Sequence, residues 1–367
     1  MTAHPTLQHL AGSIKDWGRQ LGFQQIGICA PELGLAESRW QAWLDQGRQG
    51  DMHYMAAHGS RRARPAELIP GTLRVISARV DYLPEPQERL WRRLREPDQA
   101  YLAAYALGRD YHRLLRRRLQ ALAERAAAVA PGHQWRAFVD SAPVLEKPLA
   151  QQAGLGWLGK HTNLIHPQAG SWFFLGELYT DLALPVDAPM ASHCGRCDAC
   201  LRVCPTGAIV APYQLDARLC ISYLTIESRG AIPEPLRPLI GNRVFGCDDC
   251  QLVCPWNRFA RLTQDQAFAP RRDLSEASLV ELFGWSESQF LDRCAGSPLR
   301  RVGYVGWLRN LAVALGNAPP DGTVQQALEQ RQQHPEPLVR EHVAWALARQ
   351  RRHGGSRFGA DERVEPD

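Results

Sequence analysis

No stretch of the 367 residues comes near the roughly 18 consecutive apolar side chains of a membrane-spanning helix, so a helical span is excluded. Charge of one sign is scarce too. Against 38 Asp and Glu stand 43 Lys and Arg, and a formal net charge of +5 is too small to demand a polyanionic partner by itself. The polar N-terminus shows no apolar signal segment, which argues against a secreted, disulfide-stapled chain and gives the expectation of a soluble cytoplasmic monomer. At this length about two or three domains are expected. The arginines that are present come in groups: Arg61, Arg62 and Arg64; Arg92, Arg93 and Arg95; Arg113, Arg116, Arg117 and Arg118. Grouping suits phosphate binding, and solvated helix faces produce it equally well.

Cysteine is sparse, ten residues in all, but eight of them fall between Cys194 and Cys254. Cys194, Cys197, Cys200 and Cys204 read CxxCxxCxxxCP, and Cys247, Cys250 and Cys254 read CxxCxxxCP. This is the ligand spacing of ferredoxin-type iron-sulfur proteins, in which three thiolates of one run wrap a cubane and the fourth ligates the other cluster. The second run is one ligand short. Val244 stands three residues before Cys247, and Cys220 is the nearby thiol that can replace it. The interlocked assignment is Cys194, Cys197, Cys200 and Cys254 for one 4Fe-4S cluster, and Cys204, Cys220, Cys247 and Cys250 for the other. A zinc ribbon leaves the third cysteine of each run and the CP endings without a reason. Cys29 and Cys294 remain as packing residues.

Leu7, Leu10, Ile14, Trp17 and Leu21 recur at helical spacing before Gly22, and the apolar run Ile26 to Cys29 follows as a strand. Trp40, Trp43 and Leu44 suit a second helix, and Arg74 to Val80 a buried strand. Tyr101 to Val129 reads as one or two helices, Gln134 to Val139 as a strand, Pro143 to Ala153 as a helix, and Trp172 to Tyr179 as a last strand. Asp140 then lies at a strand-to-helix turn, where it or Ser141 could simply cap the helix. This order predicts an α+β multidomain chain: an α/β domain over 1–188, a two-cluster ferredoxin-like module over 189–262, a helical domain over 263–350 and a disordered tail over 351–367. The segments NLAVALG, from Asn310, and HVAWALA, from His342, form a weak repeat that suits HEAT-like helix pairs or a plain bundle.

Gly154, Gly156 and Gly159 make GxGxxG, and Lys160 extends it towards GxxxxGK. Both nucleotide fingerprints need a strand immediately before the glycines. Here a helix is expected there, and His161 stands where a P-loop needs Ser or Thr. The loop is left as a cradle for some other anion through its amides and Lys160.

The run DSAPVLEKPLAQQAGLGWLGKHTNLI from Asp140, the run ALGRDYH from Ala106, the two cysteine runs and the helical C-terminus together resemble the epoxyqueuosine reductases. The likeness covers nearly the whole chain up to about Gln350. What it implies is the last step of queuosine synthesis at the anticodon wobble position of tRNA, on an N-terminal cobalamin-binding domain fed by two 4Fe-4S clusters, with an external electron donor. Asp51 and His53 begin a DxHxxG motif that Ala56 breaks, so cobalamin would bind without a histidine from that motif. By the same resemblance Asp140 is the proton donor, with Trp135 and Phe138 available to bury it, and Arg64, Tyr105, Asp140, His161, Asn163 and Asp248 contact the cobalamin. A corrinoid reductive dehalogenase-like reductase and a non-catalytic two-cluster electron carrier are the competing readings.

Overall fold

The computed structural model describes residues 6–358. Helix α1 (Leu7–Gln20) begins where the Thr6 hydroxyl accepts the His9 amide at 3.2 Å, and it buries Leu10, Ala11 and Ile14. The chain continues through β1 (Gln25–Cys29), α2 (Leu35–Asp45), α3 (Pro65–Leu68), β2 (Arg74–Asp81), α4 (Gln87–Arg95), β3 (Tyr101–Leu102), α5 (Tyr111–Val129), β4 (Trp135–Phe138), α6 (Glu146–Gln152), β5 (Trp157–Leu158), β6 (Leu164–Ile165) and β7 (Phe173–Thr180). The main sheet has the order β1-β2-β7-β4. Each of its pairings is antiparallel. The alternation of helix and strand therefore builds an α+β layer and not the expected α/β arrangement.

Strand alternation assigns the two faces. Ile26, Ile28, Ile76, Ala78, Phe174 and Leu178 point to α1 and α5, where Leu115, Leu119 and Leu122 are fully buried. Each such leucine contributes about 1.5–3 kcal/mol through burial. Cys29, Val75, Leu175 and Tyr179 point the other way, to Leu149 and Ala150 of α6. Both layers press closely on the sheet. A Cβ on Gly27 would lie 1.9 Å from the Ala153 carbonyl oxygen, and one on Gly176 would lie 2.8 Å from Leu119.

Several boundaries differ from the expectations. Tyr101 and Leu102 are strand and not helix, because they pair in parallel with the strand Arg243–Phe245 from the cysteine module. Helix α5 starts only at Tyr111, where the Asp110 carboxylate accepts the His112 amide at 2.9 Å. Helix α6 starts at Glu146, past Pro143, with Leu145 at its N-cap, so neither Asp140 nor Ser141 caps it.

The cysteine module is stitched to the first layer by a buried polar network. The Ser171 amide donates to Asn257 Oδ1 at 2.6 Å, and Gln251 Nε2 donates to the Ser171 carbonyl at 3.0 Å. Beyond it, helices Gly303–Asn317, Gly322–Gln330 and Pro337–Phe358 pack together. The two segments of the weak repeat meet face to face, since a Cβ on Gly316 would touch Trp345 and Ala346. Arg309 is fully buried and donates to the carbonyls of Leu224, Ser228 and Gly230 at 2.7, 2.8 and 2.8 Å, which ties these helices to the cysteine module. The last helix runs on to Phe358, so the tail expected from 351 is helical at its start, and its remainder lies outside the described residues. Among the described residues no helix is long and apolar enough to cross a membrane.

Candidate active site

Asp140 follows β4 and sits opposite the first turn of α5. Two neighbours from that turn hold its carboxylate: the Tyr111 hydroxyl donates to Oδ2, and His112 Nε2 lies 2.8 Å from Oδ1. The other ring nitrogen of His112 lies 2.6 Å from Oδ1 of Asp110, so one imidazole bridges two carboxylates. Burial pulls the His112 pKa down, but hydrogen bonds to Asp110 and Asp140 outweigh it and raise the pKa to about 9. The Tyr111 phenol is pushed well up by burial and by Asp140, which keeps it a donor. Stacking fixes both rings. Tyr111 lies 3.8 Å from Phe174 at 10° and 4.2 Å from His112 at 21°, between ring centroids.

Asp140 and Tyr111 form the seam between two lobes of a cavity. The outer lobe, of about 610 Å³, is lined among others by Arg62, Tyr105, His112, Arg300 and Arg301. The inner lobe, of about 100 Å³, is bordered by Glu146, Lys147, Asn163 and Gln251. Lys147 Nζ donates to Asn163 Oδ1 at 2.9 Å, and burial lowers its pKa. Glu146 is raised by burial and then by Asp140; behind it Glu177, in the middle of β7, is raised by burial and then by Glu146. Oε2 of Glu146 and both carboxyl oxygens of Glu177 are buried without a hydrogen-bond partner.

The residues singled out from sequence distribute unevenly around this cavity. Tyr105 lines the outer lobe, Asn163 the inner one, and Asp140 both. Arg64 does not join them. Its guanidinium is 53 % exposed and is taken by Glu37 at 2.9 Å and Glu67 at 2.8 Å, while Arg62, two residues earlier, reaches the outer lobe. Asp248 lies behind the wall, where it accepts the Tyr101 hydroxyl at 2.9 Å and the Ala104 amide at 2.7 Å. Within the protein, Trp135 and Phe138 do not supply the apolar burial expected of them at Asp140. Its side chain is 35 % exposed, and its partners are Tyr111 and His112, not Trp135 and Phe138. Sequence reasoning gave no role to Tyr111, His112, Glu146, Lys147 or Glu177. The one readable signal was a carboxylate in the otherwise apolar strand FFLGELYT.

The glycine loop has a different use from the one expected. Gly154 and Gly156 lead into β5, Gly159 and Lys160 open the turn of the β5–β6 hairpin, and Lys160 Nζ donates to the carbonyls of Gly195 at 2.7 Å and Cys197 at 2.8 Å. Through these two bonds the lysine anchors the first cysteine run. His161 is buried beside it, its Nδ1 accepting from the Asn163 amide at 3.1 Å and its Nε2 unpartnered.

Cys194, Cys197, Cys200 and Cys254 line one pocket with Lys160, His161 and Trp256. Burial, then the neighbouring Cys254, Cys194 and Cys197 thiols, raise the Cys200 pKa to about 11. The Cys250 thiol is likewise raised by burial and then by Cys220, Asp248, Cys200 and Cys204, with Cys247 beside it, so the two groups of thiols adjoin at Cys250. Val244 is fully buried in the strand Arg243–Phe245, so a ligand at that position would have to leave the core. Among the described residues no three metal-ligating side chains converge as they would on a single ion. Four thiols in one pocket, with a second group of thiols adjoining at Cys250, suit 4Fe-4S clusters better than zinc. Cys29 and Cys294 are buried apart from both groups, and burial pushes each up to about 12.

Comparisons with known proteins agree across the chain. Residues 193–257 match the family model "4Fe-4S double cluster binding domain", and residues 62–141 match "Epoxyqueuosine reductase QueG, DUF1730". The epoxyqueuosine reductase of Pseudomonas aeruginosa is 64% identical over 351 residues, covering 95% of this chain and 96% of that protein. The Escherichia coli epoxyqueuosine reductase is 56% identical over 345 residues, covering 94% and 90%. A crystal structure of an epoxyqueuosine reductase with a tRNA-Tyr epoxyqueuosine-modified stem loop superimposes with a TM-score of 0.85 at 25% identity, over 99% of this chain and 96% of that one.

Proposed function

The chain belongs to the epoxyqueuosine reductase family, and from that premise we propose that it reduces epoxyqueuosine to queuosine at the wobble position of a tRNA anticodon. The conversion of epoxide to alkene takes up two electrons and two protons and releases water. The residues around the lobes fit a flat ligand fringed with amides: Asn163 and Lys147 offer polar atoms, and Glu146, with Glu177 behind it, carries buried carboxyl oxygens that nothing in the protein satisfies. Cobalamin bound there supplies the low-valent metal centre that activates a carbon-oxygen bond, with electrons delivered singly by 4Fe-4S clusters on the two cysteine sets. Tyr105, Asp140 and Asn163 are the contacts we retain for it, while His161, expected among them, lines the pocket of the first cysteine set. Arg62 takes the place first given to Arg64, and Asp248 acts by bracing the wall.

His112, protonated at neutral pH and 2.8 Å from Oδ1, hands its proton to Asp140, which delivers it to the epoxide oxygen as the ring opens. Tyr111 holds the carboxylate in place at Oδ2, and solvent reprotonates the imidazole for the second transfer, to the departing hydroxyl. The observation that carries this reading is Asp140 at the seam of the two lobes with an ionisable donor on each oxygen. The wobble base enters the outer lobe by flipping out of its stack. Arg116, whose guanidinium reaches Ser141 Oγ at 3.5 Å on the cavity rim, sits with the exposed Arg113 and Arg117 where RNA phosphates would pass. We assign the ferredoxin-like unit to 189–262, and we read the helices around Asn310 and His342 as one HEAT-like pair packed on it. The test is anaerobic incubation of the reconstituted protein with epoxyqueuosine tRNA, followed by nucleoside mass spectrometry.

A further inference from the structure

Electrons must enter the chain from outside, and the structure differentiates the two cysteine sets by access. Cys197 is the exposed cysteine of the eight, whereas Cys204, Cys220, Cys247 and Cys250 are all part-buried, and Gln251, next to Cys250, borders the inner lobe beside Lys147. The first set is the surface end of the relay and the second is the active-site end. What surrounds the exposed end is cationic and aromatic. Arg196 stands between Cys194 and Cys197 and is exposed. Trp256 shares the pocket of the four thiols, its ring 6.0 Å from that of Phe259, which is 39 % exposed and carries the Arg258 guanidinium at 4.6 Å. Arg202 is also nearby but is neutralised by Asp198 at 2.9 Å, whereas Arg196 and Arg258 make no ion pair among the described residues.

We propose that this edge, framed by Arg196, Arg258 and Phe259, is the docking surface for an acidic one-electron carrier protein. Unpaired arginines around an exposed ligand steer a negatively charged partner to the one place where its cofactor can approach the buried thiols. Phe259 gives the encounter a small apolar centre, and Lys160, held by the Gly195 and Cys197 carbonyls, keeps the loop from moving as it docks. The edge shares no residue with the outer lobe, so reduction can proceed while RNA covers the cavity. This inference rests on the two-cluster reading given above.

The experiment compares wild type with the R196E/R258E double variant, both reconstituted anaerobically. Cluster bleaching is followed by stopped flow with reduced flavodoxin, an acidic flavoprotein, and with photoreduced deazariboflavin, a small uncharged reductant. The expected result is a fall of roughly tenfold in the flavodoxin rate at low salt, with a flatter salt dependence. Iron content, the deazariboflavin rate and tRNA affinity should be unchanged. An unaltered flavodoxin rate would overturn the proposal, and so would a loss of tRNA affinity, which would make the edge an RNA contact. A wild-type protein that binds no cluster iron would instead overturn the two-cluster reading on which the proposal stands. Phe259→Ala, which leaves all charges in place, should lower the flavodoxin rate without flattening its salt dependence.

Discussion

Raising the pH should discharge His112 long after an ordinary histidine, and the protein should lose stability as it does so. The imidazole is held between Asp110 at 2.6 Å and Asp140 at 2.8 Å, and its pKa rises from 6.5 to about 9 in the folded chain. Since the folded value exceeds the unfolded one, the stabilisation is complete below pH 6.5 and fades as pH climbs through about 9. At about 1.4 kcal/mol per unit, the bridge is worth on the order of 3 kcal/mol at neutral pH. The direct assay is a titration of ¹⁵N-labelled histidine resonances, assigned by their loss in His112→Gln. The same variant should be less stable than wild type to chemical denaturation at pH 6, and the gap should close above pH 9. A His112 midpoint near 6.5, or a gap that does not change with pH, would refute this origin of the stability. Turnover adds a kinetic signature: if His112 recharges Asp140, the alkaline limb of the rate profile should follow the same midpoint and vanish in His112→Gln.

Other expectations follow from the same geometry. Cys220→Ala should lose about half of the reconstituted iron and keep the first cluster, because only the second set loses a ligand; complete loss or full retention, measured by iron analysis and electron paramagnetic resonance, would contradict the interlocked assignment. Reversing Arg113, Arg116 and Arg117 to Glu should weaken tRNA binding and lower the logarithmic salt slope by roughly 0.7–0.9 for each phosphate that is no longer neutralised, and an unchanged slope would remove that face from the RNA site. Gly27→Ala should destabilise the first layer by about 1–3 kcal/mol in denaturant titration, since the added methyl meets the Ala153 carbonyl at 1.9 Å and a backbone atom yields little; a neutral result would mean that α6 is not pressed on the sheet as described.

Motifs fixed by local covalent spacing were legible, and arrangements fixed by chain crossings were not. Helical periods and apolar runs located α1, β1, β2, β4 and β7 to within a residue or two, because α1 buries one stripe and β2 and β7, covered on both faces, read as continuous apolar runs. The antiparallel order of the sheet was hidden, since alternation of helix and strand is compatible with either direction. Tyr101 looked helical because its strand partner, Arg243, lies far along the chain. At the site, Asp140 stood out only through resemblance. Tyr111 and His112 acquire meaning when α5 is set against the end of β4, a juxtaposition that no local pattern announces. At Lys160 the sequence left an anion cradle open, and only the fold reveals that two of its donors go to the carbonyls of a cysteine loop.

The central claim is that Asp140, oriented by Tyr111 and His112 at the seam of the cavity, protonates the opening epoxide. It is tested most directly by single-turnover reaction of wild type and Asp140→Asn, each reconstituted with clusters and cobalamin, on epoxyqueuosine tRNA, with queuosine quantified by nucleoside mass spectrometry. The account predicts conversion by wild type and a rate lower by about 10²-fold or more in the variant, at equal cobalamin and tRNA occupancy. Equal rates in the two proteins would contradict it.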